Sequence, residues 1–121
     1  MVAAASTKSE ILSTKFEEIK NKILGKRYEL SVAFLTYTQM RAAMRHRYKK
    51  ITGKKTSNVL SFPLSKTSGE ILLCKAAAKP YTVEYLFIHG LLHLKGLRHS
   101  ATMEREESRL LKKYGYSRRN G

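Results

Sequence analysis

Apolar positions recur along this chain with two different periods, and each change of period marks an expected boundary between elements. Leu12, Phe16, Ile19 and Ile23 follow one another at the interval of one helix face. Thr7 and Glu10 precede them with capping-box spacing and Gly25 follows, so a first amphipathic helix is predicted up to that glycine. The period then drops to two. Tyr28, Leu30, Val32 and Phe34 alternate with Glu29, Ser31 and Ala33, which predicts a half-buried strand. Thr38 is placed to cap a second helix, with Met40, Ala43, Met44 and Tyr48 facing inward and most of its Arg residues outward. The segment ITGKKTSN that follows is polar and predicts a loop.

Two short strands come next in the pattern. One covers Val59–Phe62 and is expected to stop at Pro63; the other covers Glu70–Cys74, after a Ser/Thr/Gly turn. Beyond Pro80, Val83–Lys95 reads as a helix apolar nearly all round, hence buried, with Gly96 as a left-handed stop. Thr102 is placed to cap a last helix. Glu104, Glu106 and Glu107 in its first turns and Lys112 and Lys113 near its end suit the helix dipole. Gly115 ends it, and SRRNG reads as a loose tail. No internal repeat or low-complexity linker interrupts the pattern. The expectation is one α+β domain over residues 1–121, a small mixed β-sheet covered by helices.

Composition supports a globular chain: 121 residues, 42% hydrophobic and 27% charged. The single Cys74 excludes a disulfide framework. The apolar run around Val83–Leu94 holds two His and a Glu and is too short to span a bilayer. The first residues lack the apolar centre of a secretory signal, so a cytoplasmic location without membrane association is expected.

Charge changes the picture. Twenty-four Lys and Arg stand against nine acids, a net charge of +15, and all nine acids are Glu. With no Asp in the chain, paired-aspartate two-metal chemistry is excluded. Solubility needs a net charge of only about 2–8 for a small domain. The excess is also uneven: residues 41–121 hold eighteen Lys or Arg against five Glu. Its densest block contains Arg41, Arg45, Arg47, Lys49, Lys50, Lys54 and Lys55 with no acid among them. Such a block points to association with nucleic acid or the ribosome, since basic surfaces gather phosphate and release counterions. His46 lies within it and is read as a surface or phosphate-contacting side chain.

The candidate chemistry lies in HGLLHLKGLRH, residues 89–99. His89 and His93 are four apart on the predicted helix and project from one face. Gly96 then lets the chain turn, and His99 follows three residues later. Three neutral imidazoles with one vertex left open form the ligand set of a catalytic zinc site. The arrangement is zincin-like, yet metzincin proteases carry Glu directly after the first His as general base. Here that residue is Gly90, which cannot take a proton, so peptide hydrolysis by that route is not expected.

Three segments together resemble one family. HGLLHLKGLRHS is similar to the H-G-x-x-H-x-x-G-x-D-H signature of the YbeY endoribonucleases, the ribosomal RNA maturation factors. SNVLSFP, residues 57–63, resembles that family's T-[DN]-V-L-S-F-P segment, and GEILLC, residues 69–74, its following G-[DE]-I strand. The resemblance implies a zinc-dependent endoribonuclease acting in maturation of the 3′ end of small-subunit ribosomal RNA and in ribosome quality control. It implies one Zn2+ per chain held by His89, His93 and His99, with ribosomal RNA and the small ribosomal subunit as partners and no nucleotide cofactor. The chain departs from the family in three places. Arg98 stands where the family has Asp, Tyr48-Lys49 stands nearest to the family's Tyr-Arg pair, and the stretch between Cys74 and His89 is shorter by about one helix.

The expected chemistry is metal-assisted phosphodiester cleavage, in which zinc lowers the pKa of its water towards about 7. Arg47, Lys49 and Arg98 are the candidate catalytic cations for the transition-state charge. Arg41, Arg45, Lys50, Lys54, Lys55 and Ser61 are the candidate RNA-binding residues, Ser61 as a polar contact on one wall of the groove. Glu70 is read either as an orienter of a metal ligand or as a surface ion-pair partner of the basic block. The rival reading is a non-catalytic ribosome-binding protein whose zinc only pins helix to turn.

Overall fold

The computed structural model describes residues 14–47 and 56–120, with the side chains of His46 and Arg47 outside that description. Its first element, α1 (Thr14–Leu24), buries Phe16, Ile19 and Ile23, the stripe that the spacing predicts. Thr7, Glu10 and Leu12 lie outside the described residues. Strand β1 (Glu29–Phe34) follows, then α2 (Tyr37–Arg47), β2 (Val59–Ser65), β3 (Ser68–Leu73), a single 3₁₀ turn, α3 (Val83–Lys95) and α4 (Ala101–Tyr114). The three strands form a mixed sheet in the order β1-β3-β2, with β1 parallel and β2 antiparallel to β3. Parallel pairing of β1 with β3 requires a crossover, and α2 lies within it.

Helices cover both faces of this sheet, and the burial of successive strand residues shows it. Ile71, Leu72 and Leu73 on the central strand are each at most 2% exposed. Ile71 and Leu73 pack with Phe16, Phe87, Leu91 and Leu110 of α1, α3 and α4. Leu72 packs on the opposite face with Met40 and Met44 of α2. Strand β1 follows the same rule: Val32 joins the first cluster and Ala33 the second. Sequence alternation predicts a half-buried strand here. Ala33 is covered because the crossover brings α2 onto that face. On the other face, Phe16 and Phe87 stack with ring centroids 4.6 Å apart and tie α1 to α3.

Four local details differ from the sequence expectation. The second helix is capped by Thr36 rather than Thr38: Gln39 N donates to Thr36 Oγ1 (3.1 Å) and Thr36 N donates to Gln39 Oε1 (2.9 Å). That is a reciprocal capping box, which Thr38 could not form. Pro63 does not stop β2, which continues to Ser65 with a register shift between Pro63 and Ser65. Proline is tolerated there because β2 is an edge of this sheet and irregular at that point.

The last helix is capped by Ser100, whose hydroxyl accepts from Met103 N, rather than by Thr102. Replacing Ser100 by Ala should therefore cost about 1 kcal/mol, read as a lower urea midpoint, whereas Thr102→Ala should leave the midpoint nearly unchanged. Lastly, residues 117–120 are not loose. Thr82 N and Oγ1 donate to the carbonyls of Arg118 (3.1 Å) and Ser117 (2.6 Å), and Asn120 N donates to Pro80 O (2.9 Å). The chain end is thus fastened to the start of α3.

Candidate metal centre

Helix α3 has the predicted bounds, and its N-cap Thr82 accepts from Tyr85 N (3.0 Å). Leu86, Phe87, Ile88, Leu91 and Leu92 are buried and lock the helix against the sheet and its neighbours. That burial fixes the rotation of α3 and leaves His89 and His93 together on its remaining face. Gly96 adopts φ 111°, a left-handed conformation that glycine takes without a Cβ penalty, and it reverses the chain at once. His99 is thereby returned to the first two rings.

The three Nε2 atoms converge. His93 Nε2 lies 3.1 Å from His89 Nε2 and 3.1 Å from His99 Nε2, and all three ligand atoms fall within 4.8 Å of one another. Each outer ring nitrogen of the helical pair has a partner. His89 Nδ1 is 2.5 Å from Glu107 Oε2, and His93 Nδ1 is 3.0 Å from Leu97 O. A carboxylate and a carbonyl oxygen only accept, so both Nδ1 atoms donate, and both Nε2 atoms of the neutral rings carry lone pairs. Lone pairs at 3.1 Å repel unless a cation sits between them. A tetrahedral ion with arms of about 2.0–2.1 Å places its ligand nitrogens about 3.3–3.4 Å apart, close to the two short separations. The donor set and its geometry therefore fit a metal ion.

The electrostatics agree with that use. Burial, reinforced by the neighbouring His89 ring, lowers the pKa of His93 below the usual histidine value and favours its neutral, metal-binding form. Burial alone would raise Glu107, but its hydrogen bonds to His89 and Arg118, with the charge of the guanidinium, outweigh it and hold the carboxyl below its usual value.

A cleft of about 520 Å³ opens beside the rings, lined by His89, His93 and His99 on one side and by Ser57, Asn58, Val59, Leu60, Ser61 and Pro63 on the other. Strand β2 is therefore its opposing wall. Ser61 stands in this wall, as the sequence suggests. Arg98 lies exposed in the turn, outside the cleft lining. Arg41, half-buried on α2, donates from Nη1 to Thr56 Oγ1 (3.3 Å), close to the start of the same wall, and Arg45 is exposed on that helix. Arg47 closes α2, its side chain outside the described residues, as are Lys49, Lys50, Lys54 and Lys55.

Sequence reasoning missed Glu107 and Arg118. It assigns Glu107 to the helix dipole, yet this side chain is 2% exposed and holds His89, while Glu70 is not part of the cleft lining. The signal was present: Glu107 falls on the stripe Met103, Leu110, Leu111 and Tyr114 that α4 buries. A glutamate at a core position demands a partner.

Among the described residues no helix is long and apolar enough to cross a membrane. No significant match is found among curated proteins or solved structures. The family model described as Endoribonuclease YbeY matches residues 2–115. Since that match covers nearly the whole sequence, including the segment that gathers the three histidines, the chain belongs to the YbeY endoribonuclease family.

Proposed function

We propose that this chain is a zinc-dependent endoribonuclease acting in maturation of the 3′ end of small-subunit ribosomal RNA and in ribosome quality control. Residues 1–121 would form its single domain, working in the cytoplasm with the small ribosomal subunit as partner. The observation that carries the reading is the convergence of three imidazole Nε2 atoms on one side of a cleft, in a chain of an endoribonuclease family. His89, His93 and His99 would hold one Zn2+. When bound, zinc supplies Lewis acidity and a water of lowered pKa.

The chain's own residues account for binding and orientation. Strand β2 and the two residues before it offer a wall with the hydroxyls of Ser57 and Ser61 and the amide of Asn58, groups suited to ribose and phosphate oxygens. Arg47, Lys49 and Arg98 are the cations assigned to the developing charge on phosphate. Arg41, Arg45, Lys50, Lys54 and Lys55 are assigned to the RNA backbone, with Ser61 in the wall as a polar contact. The net charge of +15 supports that assignment.

Elemental analysis of the purified protein, paired with cleavage of a ribosomal RNA precursor, tests the reading. Zinc near one per chain and cleavage lost on chelation are expected; undiminished cleavage by the metal-free protein would overturn it. Reversing Arg45, Lys49 and Lys50 to Glu should weaken RNA binding and reduce its salt slope by about one unit per lost phosphate contact. An unchanged affinity and slope would remove the basic block from the RNA surface.

One observation favours the rival reading of a non-catalytic ribosome-binding protein. Among the described residues no carboxylate lines the cleft, so none of their side chains stands there as a general base. RNA binding without any metal-dependent cleavage would select that reading.

A further inference from the structure

Behind His89 lies a polar chain that reaches the end of the sequence. Glu107 is 2% exposed, on the inner face of α4. Its Oε2 is 2.5 Å from His89 Nδ1, and its Oε1 accepts from Arg118 Nη1 at 3.1 Å. Tyr85 Oη lies 3.5 Å from the same Oε1. Arg118 is itself held on three sides. Its Nη2 donates to Ser108 Oγ (3.0 Å), its guanidinium lies over the Tyr85 ring with the central carbon 4.8 Å from the centroid, and its backbone carbonyl accepts from Thr82 N (3.1 Å). A buried carboxylate is costly unless compensated. Here both oxygens are engaged, one by a fixed guanidinium and the other by a candidate metal ligand.

We propose that Glu107, clamped by Arg118 of the C-terminal segment, is the positioning residue that fixes His89 as its Nδ1–H tautomer and turns its Nε2 lone pair into the cleft. The proposal deepens the metal reading and rests on it for its consequence, but not for its geometry. His93 is fixed by a backbone carbonyl of its own turn, Leu97 O, and so needs no side chain for the task. His89 depends on a residue eighteen positions away, and that residue depends on another eleven positions further on. The end of the chain thus bears on the metal-facing ring through two side chains.

Long-range ¹H–¹⁵N correlation of the metal-free protein reads the tautomer of His89 directly. Zinc affinity, measured by chelator competition with zinc chloride, reads the consequence. Glu107→Ala should move His89 away from the Nδ1–H tautomer and weaken zinc binding by about 10–100-fold. Glu107→Gln keeps the shape and an accepting oxygen. It should hold the tautomer while losing affinity by a smaller factor, and it secures the test if the alanine variant does not fold. Arg118→Ala should weaken zinc in the same direction without removing the tautomer. An unchanged tautomer in folded Glu107→Ala, or zinc affinity in all three variants within twofold of the parent, would overturn the proposal. A parent protein that binds no zinc yet loses the His89 tautomer in Glu107→Ala would sink the metal reading and uphold the positioning role.

Discussion

Replacing His93 by Ala should abolish metal binding and reduce RNA cleavage by about 1000-fold or more, while the fold and the affinity for RNA are retained. His93 is the middle ligand: its Nε2 is 3.1 Å from the Nε2 of each other imidazole, whereas the His89 and His99 rings lie further apart, 5.0 Å between centroids. Removing it leaves two nitrogens and opens the centre of the triad. A catalytic metal supplies several kcal/mol of transition-state stabilisation, and about 4 kcal/mol corresponds to roughly three decades in rate. The fold should tolerate the change because the ring is half-buried at the edge of the core, beside Leu91 and Leu92, which carry the packing. Burial lowers the pKa of His93, so the parent ring is a neutral polar group whose loss strips no charge from the interior. Retained cleavage by a well-folded variant, measured on ribosomal RNA precursor with circular dichroism as the control on folding, would refute the role of the triad. Lost cleavage together with lost RNA affinity would mean that the triad binds substrate instead of a metal.

Much of this architecture is written in local patterns. The bounds of α3 follow from a largely apolar run between Thr82 and Gly96, because one stop is a side-chain cap and the other a positive φ. The triad follows from helical spacing and one glycine. What the sequence hides are partners distant along the chain. Whether Ala33 faces solvent depends on where the crossover lays α2, and no periodicity within β1 records that. The role of Glu107 requires knowing that α4 folds back beside α3, and that of Arg118 requires knowing that the tail returns to Thr82. The two misread caps have simpler causes. Thr36 has Gln39 three residues on, a capping-box signature that Thr38 lacks, whereas Ser100 and Thr102 are both hydroxyl caps and only the path of the chain decides which meets an unpaired N–H. Residues 48–55, where several candidate RNA contacts fall, lie outside the described residues, so their assignment still rests on charge.

Gly90→Glu, which would restore the zincin protease signature on paper, should unfold the protein and create no protease. Position 90 follows His89 by one residue, so it lies about 100° round the helix from it. That direction leads into the sheet. A Cβ built there would stand 3.1 Å from Ile71 Cδ1 and 3.2 Å from its Cγ2, and Ile71 is fully buried on the central strand. Alanine alone would force Ile71 to give by a few tenths of an ångström. Such overpacking costs about 1–3 kcal/mol, partly offset by alanine's helix propensity of about 1 kcal/mol over glycine. A glutamate adds a carboxylate driven against Ile71 of the central strand. The cost of an unpaired charge there is several kcal/mol, comparable with the whole stability of about 5–15 kcal/mol expected of a domain. Gly90→Ala should thus fold with a slightly lowered urea midpoint, and Gly90→Glu should show no cooperative transition at neutral pH. A folded Gly90→Glu variant with a midpoint near that of the parent would mean that position 90 has access to solvent or to the cleft. The packing account of this glycine, and with it the argument that the chain has no room for a zincin base, would then fail.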